Sequence, residues 1–345
     1  VAAIVGVIVA AVPVLTLGFC DRLGFCSETG VRTLFDGSYV VDDFALVLKG
    51  VFLLGGLLAL LQAVPYLESD RFYQGEFYFL LVSSLLGAVA IASARDLVIL
   101  FVALELVTAP AFLMAGWRKG DLRSNEAALK FFIIGVLASA TILFGMSLVY
   151  GATGALTFAD LRVASAGLAD EPFFILGVAL VLLGFTFKLP AIPFHSWAPD
   201  AYQGMPVPVA AFLTISMGSG VVGLLSLCYS AFTNVTQIWG PILFVVAAVT
   251  MTLANFSALK QTHAVRLMGY SSIAHGGFVL VPFAVAFVDG IDLEQAFFAS
   301  VTYYLVYLVM NLGAFAVIGA AERKTGSAEI SAWAGFATYA PGLGA

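Results

Sequence analysis

The sequence has little charge, little histidine and little cysteine. Charged residues make up only 10% of the 345 residues, and there are three histidines and three cysteines. So low a charged fraction excludes an ordinary soluble domain. No basic run indicates nucleic-acid binding. Cys20, Cys26 and Cys228 lack the spacing of metal ligands, so we expect no metal site in this chain.

Motifs for bound nucleotides and for covalent catalysis are missing as well. The sequence contains no dinucleotide fingerprint, no phosphate-binding loop and no nucleophile with an adjacent base. We therefore expect the chain itself to hold no cofactor and to perform no bond-making chemistry.

What the sequence has is hydrophobic length. Hydrophobic residues make up 61% of the chain, and the mean hydropathy is +1.04. This composition predicts an all-α polytopic membrane protein. The short connections and uniform composition favour a single transmembrane domain over residues 1–345. About ten apolar runs have spanning length, at 1–19, 43–64, 76–94, 96–116, 125–151, 172–190, 207–232, 235–256, 270–288 and 295–320.

The ends and loops of the chain give two further expectations. Because the chain begins with Val1 inside an apolar run and ends at Ala345 just after a loop, we expect a fragment that lacks sequence at both ends. The loop from Cys20 to Asp42 is expected outside the cell, where Cys20 and Cys26 can either pair or stay free thiols. The loop is placed outside because cytoplasmic loops carry an excess of Lys and Arg. Assigning alternate loops to opposite faces puts eight basic residues together on the face away from this loop: Arg71, Arg118, Lys119, Arg123, Lys260, Arg266, Arg323 and Lys324.

One apolar stretch, GFTFKLPAIPFHSWAPDAYQGMP at residues 184–206, combines a lysine, prolines and a histidine. Pro190 and Pro193 each remove a backbone donor, so we expect the helix to break one or two residues after Lys188. An ammonium at membrane depth is costly, so Lys188 should face the bundle interior, near a partner or a wet cavity. The alternative is a lysine that extends from a helix end to the surface.

Glu105 is the other isolated charge at membrane depth, with no charged residue between Asp96 and Arg118. It is a candidate functional carboxylate with Lys188 as its partner of opposite charge, and together they would form a proton switch. The alternative is a protonated glutamic acid that bonds a neighbouring helix.

Lys130 and two histidines are further candidates for proton transfer. Lys130 follows Glu126 by one helical turn and is either functional or part of an interfacial ion pair. His195 and His275 lie in or beside apolar helices and titrate nearest neutrality. If each histidine is considered by itself, we expect an ordinary hydrogen-bonded core residue. Together with nearby serines and threonines they would form a polar thread through the bundle.

Five segments carry a family resemblance: FVALELVTAPAFLMAGW, SNEAALKFFIIGVLASATILFGMSLVYGATG, GFTFKLPAIPFHSWAPDAYQGMPVPVAAFL, RLMGYSSIAHGGF and YYLVYLVMNLGAFAVIGA. With them the chain resembles, nearly end to end, the subunit N family of bacterial NADH:quinone oxidoreductase (respiratory complex I). That family is one branch of the antiporter-like proton channels. The resemblance implies an inverted-repeat bundle with a discontinuous helix near Pro190.

The resemblance also implies roles and partners. Glu105 would modulate the charge of Lys188, and Lys188 would carry protons on the input side. His195 and His275 would relay protons toward the centre. The partners would be other membrane subunits of complex I, including other antiporter-like subunits, in the bacterial inner membrane. NADH, FMN, iron–sulfur clusters and quinone would be bound by other subunits.

Two departures from the family pattern concern the proton path. The family has a lysine in the next helix, where the segment VAAFLTISMGSGVVG places Gly218; water held by Ser216 and Ser219, or His275, would bridge that gap. The lysine of a second broken helix is expected beyond Ala345, and one family helix ahead of Val1. The alternatives are a cation/proton antiporter subunit of the Mrp kind and a structural membrane subunit whose charges only hold helices together.

Overall fold

The computed structural model describes residues 1–23, 31–68 and 74–344. The described chain is helical apart from one small hairpin, which confirms the predicted fold class. The predicted pairing of Cys20 with Cys26 lies outside the described residues. The helices are α1 (Ala2–Leu23), α2 (Asp43–Glu68), α3 (Gln74–Ile91), α4 (Leu97–Ala115), α5 (Leu122–Thr153), α6 (Phe158–Ala164), α7 (Pro172–Phe185), α8 (Trp197–Gly204), α9 (Val207–Ser226), α10 (Thr236–Ala258), α11 (Ala264–Val279), α12 (Val281–Ala284), α13 (Leu293–Thr325), α14 (Phe336–Tyr339) and α15 (Pro341–Gly344).

All ten predicted apolar runs are helical, but they are not equally long. In the described part of the chain, eight helices are long and apolar enough to cross a membrane. The other two predicted spans are shorter apolar helices, at Ala2–Gly18 and Pro172–Phe185. The second of these, α7, is short because the chain leaves the helical conformation before Pro190.

A hairpin that the sequence analysis treats as loop joins α1 to α2. Its strands β1 (Arg32–Leu34) and β2 (Tyr39–Val41) are antiparallel. The four-residue turn between them, residues 35–38, has positive φ at Phe35, Asp36 and Gly37. The hairpin is held to the α3–α4 connection by backbone hydrogen bonds and by the 3.0 Å ion pair of Arg95 with Asp42.

The central element is α9, in which every residue from Pro208 to Ser226 is buried. It contacts α2, α3, α4, α7, α11 and α13. A helix that is apolar on all sides and enclosed by others forms the core of a bundle. The exposed apolar side chains lie instead on the outer faces of helices such as α4, α5, α10 and α13.

Helix α5 packs closely against α7, the helix that ends at the break. A Cβ at Gly177 would lie 2.9 Å from the backbone nitrogen of Val149, and one at Gly145 would lie 2.7 Å from the carbonyl oxygen of Gly177. Small residues allow helix backbones to approach in this way inside membranes. The two glycines therefore hold α7, and the segment that follows it, tightly against α5.

Candidate functional site

Two prolines that follow α7, Pro190 and Pro193, shape the break in the helix. The helix ends at Phe185, three residues before Lys188, and not after Lys188 as predicted. The cause is the ring of Pro190, which clashes with the carbonyl of residue 186 and so excludes the helical conformation earlier than expected. The backbone nitrogen of Ala191 bonds that freed Thr186 carbonyl at 2.7 Å. An unpaired carbonyl inside the membrane is thus avoided.

The second proline shapes the contact with α11. The peptide bond between Ile192 and Pro193 is cis. The backbone nitrogen of Ile192 donates to Thr250 Oγ1 at 3.1 Å. The Leu189 carbonyl, four residues before Pro193, lies against Gly276 of α11, where no Cβ would fit. Helices α10 and α11 therefore enclose the non-helical segment from one side.

Aromatic rings enclose the break from the other side. The ring of Phe131 stacks on Trp197 with 4.3 Å between centroids and lies 5.6 Å from the ring of Phe187. Phe112 meets Phe131 edge-on at 4.7 Å. This cluster excludes water from one flank of the segment and leaves the polar groups of the break facing the helices of the bundle.

Lys188 is buried at the break, with 6% of its surface exposed. Its Nζ donates to the Leu104 carbonyl of α4 at 3.2 Å and lies 5.8 Å from the Phe187 ring centroid. It makes no ion pair with a carboxylate of the described residues. The prediction that Lys188 faces the interior is therefore confirmed, and its extension to the surface is excluded.

Glu105 follows the residue whose carbonyl binds Lys188, but its carboxylate is held by a different helix. Its Oε1 accepts a 2.6 Å hydrogen bond from Ser139 Oγ of α5. The two contacts use consecutive residues of α4, because Leu104 binds Lys188 and Glu105 binds Ser139. The structure thus brings the two predicted partners to the same part of α4, with each bound to a neutral group rather than to the other.

Lys130 lies in a charge network at the end of the bundle. Its Nζ bonds Glu126 at 2.7 Å and Asp200 at 2.6 Å, and its side chain is 42% exposed. Arg266 of α11 bonds the other oxygen of Asp200 at 2.5 Å. This arrangement is the interfacial ion pair that the sequence left open, extended by Asp200 of α8, which the sequence analysis missed. The network joins α5, α8 and α11 just beyond the helix break.

The two predicted histidines lie in different elements. His195 is half-buried in the turn before α8, and its Nδ1 has no hydrogen-bond partner among the described residues. His275 of α11 is next to Gly276, and its Nδ1 lies 2.6 Å from the Tyr303 hydroxyl of α13. The structure therefore does not bring the two rings into contact with each other.

Polar residues of α13 are the main group that sequence reasoning missed. Tyr307 donates to Ser272 Oγ at 2.9 Å, and Asn311 donates to Thr214 Oγ1 at 2.6 Å. Tyr304, Tyr307 and Asn311 are buried. Their spacing of three and four residues places them on one face of a helix, a signal that was present in the sequence.

The position of the missing family lysine is filled from α13. A Cβ at Gly218 would overlap the hydroxyl of Tyr304. Ser219 donates to the Ser216 carbonyl of its own helix at 2.6 Å, so these serines do not reach across to Tyr304. Within the described residues, no group of three or more His, Cys, Asp or Glu side chains is placed to hold a metal ion.

A bundle with an interrupted helix, a buried lysine at the break and a partly buried carboxylate nearby defines an antiporter-like membrane subunit. Residues 94–344 match the family model described as NADH:quinone oxidoreductase/Mrp antiporter, TM. The chain belongs to this family and is a multi-pass membrane protein.

Known relatives specify the branch of the family. The chain is 42% identical over 314 residues to NADH-quinone oxidoreductase subunit N 2 of Streptomyces griseus subsp. griseus, covering 88% of this chain and 57% of the relative. It is 37% identical to NADH-quinone oxidoreductase subunit N of Trichlorobacter lovleyi, covering 87% of this chain and 62% of the relative. The chain thus spans about three fifths of the length of these relatives. The resemblance to the subunit N family is confirmed.

A chain in a solved structure of respiratory complex I has the same fold. The structure of respiratory complex I from Thermus thermophilus with bound aureothin contains a chain that superposes with a TM-score of 0.71 at 31% identity. The match covers 92% of this chain and 64% of that one. The antiporter-like architecture expected from the sequence is therefore confirmed.

Proposed function

We propose that this chain is part of a proton-translocating subunit of an NADH:quinone oxidoreductase in a bacterial inner membrane. The observation that carries the proposal is the buried Lys188 at the helix break, bonded to the Leu104 carbonyl while the next residue, Glu105, is bonded to Ser139. The names of the subunit N relatives support the choice of complex. The other partners are membrane subunits of the same complex, including antiporter-like ones, and NADH, FMN, iron–sulfur clusters and the quinone are bound elsewhere in the complex.

The geometry gives the pair two states. In one, Ser139 holds Glu105 and the Leu104 carbonyl holds Lys188, as in this structure. In the other, Glu105 approaches Lys188 and stabilises its ammonium, because an opposite charge nearby favours the charged form. Separating the pair leaves the ammonium buried without a counter-ion, so the proton passes on into the bundle. Redox energy released by quinone reduction in other subunits would drive the change between the states.

The Lys130–Asp200–Arg266 network has a mechanical part in this proposal. It ties α8, the continuation of the broken segment, to α5 and α11. Because α5 also carries Ser139, a movement of α8 against α5 would reach both Lys188 and the residue that holds Glu105. Lys130 is thus proposed to serve the entry of protons at this end, and His195 and His275 to serve their onward transfer.

The test uses inside-out membrane vesicles that contain the product of the full-length gene in its complex. Addition of NADH should acidify the vesicle interior. Vesicles from cells that lack the gene should show less NADH-driven acidification than vesicles from wild-type cells. Proton exchange driven by a sodium gradient, without NADH, would instead support an Mrp-like antiporter. Loss of complex assembly on substitution of Lys188, rather than loss of coupling, would support a structural subunit.

A further inference from the structure

The buried helix α9 separates two polar regions of the interior. Positions 218 and 220 point to opposite sides of a helix, because two residues turn the chain by about 200°. A Cβ at Gly220 would meet the Cβ of Lys188, and a Cβ at Gly218 would meet the Tyr304 hydroxyl. Glycine at both positions lets the lysine and the phenol press against opposite sides of α9. The stem of Lys188 and the Tyr304 phenol are therefore separated by little more than one helix backbone.

The side away from Lys188 contains buried polar atoms for which the described residues provide no partner. We name Thr214, Gly218, Tyr304 and Asn311 the α9–α13 seam. The Tyr304 hydroxyl and the Asn311 Oδ1 are both buried without a hydrogen-bond partner in the described part of the chain. Leaving a buried polar atom unpaired costs about 1–3 kcal/mol, and ordered water is the usual remedy. Thr214 and Gly218 lie one turn apart, roughly 6 Å along α9, a gap that water can span.

We propose that the α9–α13 seam is the part of the proton route beyond α9, with the Tyr304 hydroxyl in the place where a side chain at position 218 would lie. This inference rests on the proposed function and adds its next group. A water proton reaches the phenol oxygen as the phenol's own proton leaves toward the water at Asn311. One O–H bond forms while another breaks, so Tyr304 stays neutral and no oxidant or reductant is needed.

The seam does not need a charged relay at position 218. A hydroxyl both accepts and donates a hydrogen bond, whereas an apolar side chain does neither. Although Gly218 has no side chain to carry a proton, the Tyr304 phenol of α13 occupies the place of that side chain and can carry the proton instead.

The test compares Tyr304→Phe with Tyr229→Phe in the full-length protein within its complex. Tyr229 is a matched control because its hydroxyl is also buried without a partner, while its ring packs on Trp239 and Phe283, away from the seam. The measurement is the ratio of NADH-driven acidification to NADH oxidation in inside-out vesicles. We expect Tyr304→Phe to lose as much of this ratio as Lys188→Ala, and Tyr229→Phe to match wild type.

Three other outcomes overturn the inference in distinguishable ways. A normal ratio in Tyr304→Phe together with a loss in Lys188→Ala would keep the proposed function and exclude the seam. A normal ratio in Lys188→Ala would remove both. Equal losses in Tyr304→Phe and Tyr229→Phe would show a general packing effect. If Tyr304→Phe does not assemble, Thr214→Val tests the same seam, because it removes the hydroxyl that Asn311 binds while keeping the side-chain shape; a wild-type ratio there would likewise exclude the seam.

Discussion

In the proposed mechanism, the hydrogen bond from Ser139 to Glu105 favours the state in which Glu105 and Lys188 are apart. Ser139→Ala removes the 2.6 Å bond that holds Glu105 away from Lys188. A hydrogen bond to a charged group contributes about 1.5–3 kcal/mol. That difference shifts the equilibrium toward the Glu105–Lys188 ion pair by roughly 10- to 150-fold. We expect the pair to remain closed for longer and proton release from Lys188 to become slower.

The assay for this prediction is the ratio of acidification to NADH oxidation in inside-out vesicles. Ser139→Thr is the matched control, because it keeps a hydroxyl at the same position and should retain most of the ratio. A wild-type ratio in Ser139→Ala would refute the claim that Ser139 holds the open state. Equal losses in both variants would assign the effect to packing of α5 rather than to the hydrogen bond.

Three further predictions concern packing, capping and the buried charge. Gly184→Leu should impair assembly, because a Cβ there would overlap Ile142 of α5 and overpacking costs about 1–3 kcal/mol; a normal amount of complex on a native gel would contradict this. Burial lowers the pKa of His263 below its ordinary 6.5, so the ring is neutral above this lowered pKa and its Nδ1 caps α11 by accepting from the Arg266 amide. Protection of the Arg266 amide from hydrogen exchange should therefore fall as the pH drops through the lowered pKa. His263→Gln should show no such change. Lys188→Met should assemble as wild type, because removing an ammonium that costs about 3 kcal/mol to bury offsets the loss of its one hydrogen bond; failure to assemble would indicate a structural lysine.

The sequence predicted the fold class and most of the helix positions because hydrophobic runs of spanning length are unambiguous. It also predicted that Lys188 faces the interior, since the cost of a charge in lipid leaves few other places. The prediction for the end of α7 was wrong by a few residues. Pro190 acts on the carbonyl of residue 186, so the helix stops before the lysine and not after it.

The partners of the interior residues could not be predicted from local pattern. Nothing in the run around Glu105 indicates that Ser139, from the next helix, holds its carboxylate. The Tyr304 phenol similarly lies at Gly218 only because α9 and α13 pack together. Such contacts join residues 34 and more positions apart. They depend on how whole helices pack, which periodicity in one helix does not specify.

The most direct test of the account is the number of protons moved per NADH oxidised in Lys188→Ala, with Lys49→Ala as the matched control. Both lysines are 6% exposed, but Lys49 bonds the Tyr39 hydroxyl of the hairpin, away from the helix break. The account predicts that Lys188→Ala loses acidification out of proportion to oxidation, while Lys49→Ala keeps the wild-type ratio. A wild-type ratio in Lys188→Ala, measured in fully assembled complex, would contradict it.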